Sequence, residues 1–395
     1  MKTKRFVVLV LSLVCSLSLF AGDWKYTFWN LDQHPEILGG FLPTYIGMGV
    51  SYDGLHFVPE RKTEIRLLAG GGYYQQKMWQ DPTTGQILAY QLSPLIYDVM
   101  EFEWLLQFSQ GFGASPVAGK DLWTISLAYE GFYRQTMDSM VTGKSRTNNG
   151  KTQEVPTVES WFSGLGSSST DNKYYTDMGS MLGTNIKFGV KWDRMDDQLS
   201  TQDGIYSEIK GIYAPLLFNQ ALTGKADFYS ITSNTVMAKT LYSLRPSEKE
   251  TKKNTFSIVL VDRVNLNWTD GTKVSMRAQH PVSLGRKVRG YNSWTYNTQF
   301  TAVNNFDIRF CGPSFYFAKI VPRINLFLDA GYGGGKYFNT QVSGNDFLCS
   351  TGIQVTVSLF DFIDLGLQYA YLFTGRNYVH YNDSLVMSFT FFLDF

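Results

Sequence analysis

Hydrophobic and polar residues alternate with a period of two along several stretches of this chain, most plainly toward its C-terminus. Thr351, Ile353, Val355, Val357 and Leu359 stand on one face there, and Ser350, Gly352, Gln354, Thr356 and Ser358 on the other. The next stretch sets Leu365, Leu367, Tyr369, Tyr371 and Phe373 against Asp364, Gly366, Gln368 and Ala370, and the last places Leu385, Met387, Phe389, Phe391, Leu393 and Phe395 on a single face. A period of two belongs to a β-strand, and about ten residues is the length a tilted strand needs to cross a bilayer. The outward face of a soluble sandwich would carry Lys and Glu, whereas the polar face here is rich in Ser, Thr, Gly and Gln and the apolar face is rimmed by Tyr and Phe. The pattern predicts transmembrane strands with lipid on one side and a wet lumen on the other.

Reading backwards, the alternation predicts further strands at Ile324 to Tyr332, Ala302 to Phe310, Phe256 to Trp268, Tyr229 to Leu241, Ile205 to Tyr213 and Thr184 to Trp192. The N-terminal half adds Phe41 to Tyr52, Thr63 to Tyr74, Gln86 to Leu92, Val99 to Phe108 and Leu122 to Tyr133. Between Arg134 and Gly183 a tract rich in Ser, Gly, Asn and Thr reads as one surface loop plus one hairpin, Val158 to Leu165 with Tyr174 to Met181. The expected fold is all-β: a transmembrane antiparallel β-barrel of about 16 strands with long extracellular loops. Sixteen strands of about ten residues with their loops use roughly 350 residues, which nearly consumes the chain.

The N-terminus sets the compartment. Met1 to Arg5 is a basic n-region, Phe6 to Phe20 a largely apolar h-region, and Ala21-Gly22 supplies small residues for cleavage, so 1–22 reads as a signal peptide. Val14 stands where a lipobox wants a small residue, so Cys15 is not read as a lipid anchor. Residues 23–40 read as a short segment before the barrel, an amphipathic helix, luminal plug or interfacial strap with Trp24, Tyr26, Phe28 and Trp29 as apolar contacts, and 41–395 as the barrel. After Gly22 no stretch approaches the length of apolar residues that a spanning helix needs.

Composition narrows the classes further. Of 395 residues 17% are charged and 16% aromatic, with a net charge of +1; this argues against a disordered chain or an ordinary cytosolic enzyme. Without a basic run in the mature part there is no electrostatic footprint for nucleic acid. His34, His56, His280 and His380 are scattered, with no HExxH, no paired metal spacing and no Gly-x-Ser-x-Gly. Gly70 to Gly72 and Gly333 to Gly335 are not phosphate loops, because no Lys-Ser/Thr follows them; glycines in barrel strands permit bending or close packing. No enzyme activity and no cofactor are expected. Cys311 and Cys349 fall on strands that are not neighbours in the predicted order, so two separate thiols are expected.

The run Gly285-Arg286-Lys287-Val288-Arg289-Gly290-Tyr291 lies in a connection of about 33 residues, too long for a hairpin turn. Phe327-Leu328-Asp329-Ala330-Gly331 follows on a later strand, Asp193-Arg194 with Gly204 precedes at a strand-turn-strand, and Asn305-Phe306-Asp307-Ile308-Arg309-Phe310 lies on the strand after the loop. With the terminal Phe395, these motifs resemble the bacterial surface antigen family, the barrel of the BamA, TamA and FhaC superfamily, over about Thr184 to Phe395. The resemblance implies that the sixth surface loop folds into the lumen, that its tip Val288, Arg289, Gly290 and Tyr291 brings Arg289 to Asp329, and that Phe395 is the terminal aromatic recognised by barrel assembly machinery. That family usually carries POTRA domains before the barrel, so a POTRA-less member is expected.

The residues themselves agree in part. Ile324, Leu326, Leu328 and Ala330 would face lipid, leaving Asn325, Phe327 and Asp329 toward the lumen. A carboxylate there favours a partner that Arg can supply bidentately, and Gly290 lets the backbone pass close to the wall. The alternative is an exposed Arg289 and a hydrated Asp329 in a wide pore. The resemblance implies a bacterial outer-membrane protein of the assembly and translocation superfamily that helps insert or translocate protein or lipid. Its partners would be outer-membrane lipids, an unidentified protein or lipid client, and the machinery that inserts it. The other reading is a passive porin or a surface-exposed structural antigen.

Overall fold

A computed structural model of the chain describes residues 24–33, 43–78, 95–116, 119–138, 145–148, 151–154, 157–158, 179–196, 203–221, 226–244, 256–274, 284–291, 298–313, 320–337, 346–359, 363–374 and 385–393. Its elements run β1 (Trp24–Gln33), β2 (Pro43–Tyr52), β3 (Thr63–Met78), β4 (Leu95–Ala114), β5 (Asp121–Asp138), β6 (Ser145–Asn148), β7 (Lys151–Glu154), β8 (Gly179–Asp193) and β9 (Gly204–Ala214). There follow α1 (Leu216–Ala221), β10 (Asp227–Leu244), β11 (Phe256–Lys273), α2 (Leu284–Lys287), β12 (Thr298–Cys311), β13 (Ile320–Tyr337), β14 (Asp346–Leu359), β15 (Ile363–Leu372) and β16 (Leu385–Leu393). Fourteen strands form one antiparallel sheet in chain order, β6 and β7 standing apart as a separate hairpin. Each strand therefore pairs with its neighbours in sequence, the plan of an up-and-down meander. The registers described reach from β1 to β16 and include no pair between those two strands.

All nine strands expected in the C-terminal half are present, several longer than the alternation suggested. Four of the five N-terminal ones are present too. The fifth, Gln86 to Leu92, lies outside the described residues, and β3 pairs directly with β4 from Thr63↔Gln110 to Met78↔Leu95, so nothing intervenes between them in the sheet.

One expectation is corrected. The segment read as preceding the barrel supplies β1, paired with β2 through Phe28↔Met48 and its neighbours. Aromatic residues at every second position, Trp24, Tyr26 and Phe28 against Lys25 and Thr27, suit a pleated strand better than a helix. In the β5–β8 connection the described residues hold a hairpin, β6–β7, with Asn149-Gly150, the preferred two-residue hairpin sequence, between its strands; the expected pair, Val158 to Leu165 with Tyr174 to Met181, lies largely outside the described residues. The strands of β6–β7 are four residues each, far too short to span a bilayer; among the described residues the sheet has fourteen strands, where about sixteen were expected.

Burial is inverted relative to a soluble protein. Residues paired across neighbouring strands share a face, and on one face large apolar side chains stand exposed: Leu67 is 50% exposed, Leu127 55%, Leu328 48% and Leu367 57%. On the other face Glu101, Glu130, Arg134, Asp307 and Asp329 are buried. A sheet that buries its charges and exposes its leucines is built for an apolar surrounding. Aromatic contacts lie at both ends of the apolar face: Tyr229–Trp268 at 5.1 Å and Phe300–Tyr332 at 6.3 Å at one end, Trp123–Trp192 at 5.7 Å and Tyr242–Phe256 at 6.5 Å at the other. No helix among the described residues is long and apolar enough to cross a membrane, which bears on helices alone.

Candidate functional site

On the polar face, β12, β13, β14 and β15 bring three cross-strand rows side by side. The first is Val303, Gly331 and Leu348; the second is Asn305, Asp329, Ser350 and Leu372; the third is Asp307, Phe327, Gly352 and Ala370. The β11–β12 loop lies over these rows. Its short helix α2 places Leu284 and Val288 against the wall, where they join Tyr291, Val303, Leu348 and Leu372 in one buried apolar cluster. Glycine makes the seat. A Cβ on Gly331 would stand 2.6 Å from Val288 Cγ2 and 2.7 Å from Leu284 Cδ1, so only a bare backbone leaves room for the loop.

Arg289 follows directly and reaches the second and third rows. Its backbone N–H donates to Asp329 Oδ2 at 2.9 Å, its Nε to the same oxygen at 2.8 Å and its Nη2 to Asp329 Oδ1 at 2.6 Å. Nη2 also donates to Asp307 Oδ1 at 2.6 Å. Asp307 in turn accepts from Arg263 Nη1 of β11 at 2.9 Å, so two arginines and two carboxylates form a balanced chain. Asp329 is 0% exposed, Asp307 1% and the Arg289 side chain 17%. Such charges leave water only with partners of matching geometry. Phe327 completes the cradle, its ring centroid 4.0 Å from the guanidinium carbon, a cation–π contact.

The backbone of the tip is fastened on either side of Arg289. Asn305 Nδ2 donates to the Lys287 carbonyl at 2.8 Å and Ser350 Oγ to the Arg289 carbonyl at 2.7 Å. Gly290 has φ +91°, and a Cβ there would lie 2.9 Å from Ala370 Cβ and 2.7 Å from Leu372 Cδ2. Both the dihedral and the space call for glycine. The Tyr291 hydroxyl lies 2.5 Å from the Thr374 carbonyl and 2.9 Å from that of Cys349, and accepts from the Cys349 N–H at 3.2 Å. The tip thus meets β12, β13, β14, β15 and the residues just beyond β15.

Of the sequence-predicted site residues, Val288, Arg289, Gly290, Tyr291 and Asp329 converge in this contact, and Phe395 lies outside the described residues. Asp307, Arg263, Asn305 and Ser350 were not singled out as site residues, although alternation already sets Asn305 and Asp307 on one face of their strand. What alternation cannot show is which polar positions share a cross-strand row. Cys311 and Cys349 are free thiols; they stand opposite Arg323 and Ala330, well apart along β13. Among the described residues no group of three or more His, Cys, Asp or Glu is placed to hold a metal ion. The arrangement turns its hydrogen-bonding groups into the wall, the geometry of a latch.

No protein-family model matches the chain, and no curated protein sequence does. Among solved structures the chain is similar to the crystal structure of BamA from Haemophilus ducreyi lacking POTRA domains 1–3, with 11% identity and a TM-score of 0.47 over 88% of this chain and 62% of that one. It is also similar to the siderophore receptor PirA from Acinetobacter baumannii, with 8% identity and a TM-score of 0.33 over 85% of this chain and 45% of that one. The chain spans less than two thirds of the length of either structure.

Proposed function

We propose that the chain is a bacterial outer-membrane β-barrel of the assembly and translocation superfamily, its lumen occupied by its own β11–β12 loop, and that it aids insertion or translocation of protein or lipid. The observation that carries this reading is the docked loop tip. A passive porin has no use for a buried Arg–carboxylate latch across the middle of its pathway, whereas a barrel that handles clients at its wall needs a closed lumen and a rigid strand scaffold. The inverted burial of the sheet supports the membrane setting, and the match of the tip and its partner strand to the family's motifs supports the superfamily.

Planar-bilayer conductance of the purified protein tests the closed lumen. The parent should be mostly closed, with Arg289→Ala opening more often; a steady large conductance in the parent would favour a porin instead. Depletion in the cell followed by an inventory of outer-membrane proteins and lipids tests the biogenesis role, and an unchanged inventory would remove it.

A further inference from the structure

Among the described residues the apolar face carries a cluster of polar side chains. Around most of the sheet the mid-strand positions on this face are large and apolar, as with Ile125 and Leu127 on β5, Phe188 and Val190 on β8, and Leu326 and Leu328 on β13. Across β10 to β12 the mid-strand positions carry Ser233, Thr235, Asp262 and Asn304, and Ser207 on β9 adjoins them toward the end marked by Trp192. Register puts them on that face: Met237, 40% exposed, stands opposite Asp262, and Asp262 alternates with Val264, Leu266 and Trp268. Ser207 pairs with Thr235, Thr235 with Val264, and Val264 with Asn304, so the polar residues form one contiguous patch around Val264. Within it the Ser207 and Thr235 hydroxyls are 2.9 Å apart and Asn304 Nδ2 donates to Asp262 Oδ1 at 2.6 Å.

Depth makes the patch informative. On β11, Phe256 and Trp268 each join an aromatic contact with β10, and Asp262 lies midway between them, about 20 Å along the strand from either. In the membrane-barrel reading, on which this inference rests, Asp262 meets the bilayer near its midplane. A carboxylate facing hydrocarbon there is costly, and the neutral amide of Asn304 on one of its oxygens leaves its charge uncompensated; ionisable residues at such depth are ordinarily covered by further polar groups. Any partner must itself lie in the membrane and offer polar groups at the same depth. A second copy does so automatically, because rotation about an axis along the membrane normal leaves every residue at its own depth. The patch also holds both a donor amide and an acceptor carboxylate, and the second amide hydrogen of Asn304 in one copy can serve Asp262 of the other. Ser207, Ser233 and Thr235 are short, which permits close approach of two walls there.

We propose that this patch is a homodimer interface, two copies of the chain related by a two-fold axis along the membrane normal with Asp262 and Asn304 at its centre. The test uses the full chain in detergent and in lipid nanodiscs, with native mass spectrometry reading the oligomeric state. The parent should be a dimer. In a Cys311→Ser, Cys349→Ser background, Thr235→Cys should give a disulfide-linked dimer on oxidation, while Leu67→Cys on β3, five strands away in the sheet, should not. Asp262→Leu with Asn304→Leu should raise the dimer dissociation constant about tenfold or more. Ser233→Trp, a bulky apolar change that lipid accepts but a close interface does not, should do the same if the first variant fails to fold. A monomeric parent with no cross-link at Thr235→Cys overturns the proposal. So does a photo-cross-linker at position 235 that captures a different envelope protein. Failure of the membrane reading would show separately, as identical gel mobility of the boiled and unboiled parent.

Discussion

Arg289 is held by two carboxylates whose needs differ. Asp307 has a second cation in Arg263, whereas the partners of Asp329 among the described residues all belong to Arg289. Arg289→Ala should therefore strand Asp329 more than Asp307, at about 3 to 5 kcal/mol for a well-buried case. The loop should become sensitive to limited proteolysis, and the unfolding midpoint in urea should fall. Asp329→Ala should act in the same direction, and the double mutant should be no worse than Arg289→Ala alone, since it also removes the stranded charge. A double mutant showing the sum of the single losses would mean that the two residues act on different parts of the structure. Gly290→Ala tests the backbone of the tip. Its positive φ and its contacts at Ala370 and Leu372 predict a loss of about 1 to 3 kcal/mol, read as faster cleavage of the loop.

At the scale of elements, the β11–β12 loop is docked by strands that lie far apart in sequence but adjacent in register, and Tyr291 ties it to β14 and to Thr374 just beyond β15. Tyr291→Phe keeps the ring in its apolar cluster and removes the hydroxyl that bridges Thr374 and Cys349. A loss of about 1 kcal/mol is expected, with protease sensitivity between that of the parent and that of Arg289→Ala. The terminal strand carries a different prediction, resting on the family resemblance of Phe395. Deleting Phe395 should lower the amount of assembled protein in the outer membrane while export stays intact. Unchanged assembly would leave Phe395 as an ordinary interfacial aromatic.

For the whole molecule, the inverted faces and the aromatic contacts at both ends of the strands describe a wall that is stable in hydrocarbon and resists detergent when its edges are joined. The protein should fractionate with the outer membrane and migrate faster on gels without boiling than after it. Identical migration in both conditions, together with release by alkaline carbonate, would count against a barrel.

Period-two alternation determined the strands of the C-terminal half, because a side chain on a strand has only two faces to take and here each face has its own chemistry. It also placed Asp329 and Phe327 on the polar side of β13. The same alternation runs through Trp24, Tyr26 and Phe28, which belong to a strand of the sheet where a segment ahead of it was expected, and Asn149-Gly150 was the signal for the hairpin in the β5–β8 connection. Motif resemblance paired Arg289 with Asp329, but the second carboxylate at Asp307, the cation behind it at Arg263 and the glycine seat at Gly331 came only with register. Sequence spacing cannot say which residues of four different strands share a row. That is decided by how the strands slide against one another, and the same sliding gathers Ser207, Thr235, Asp262 and Asn304 into one patch on the opposite face.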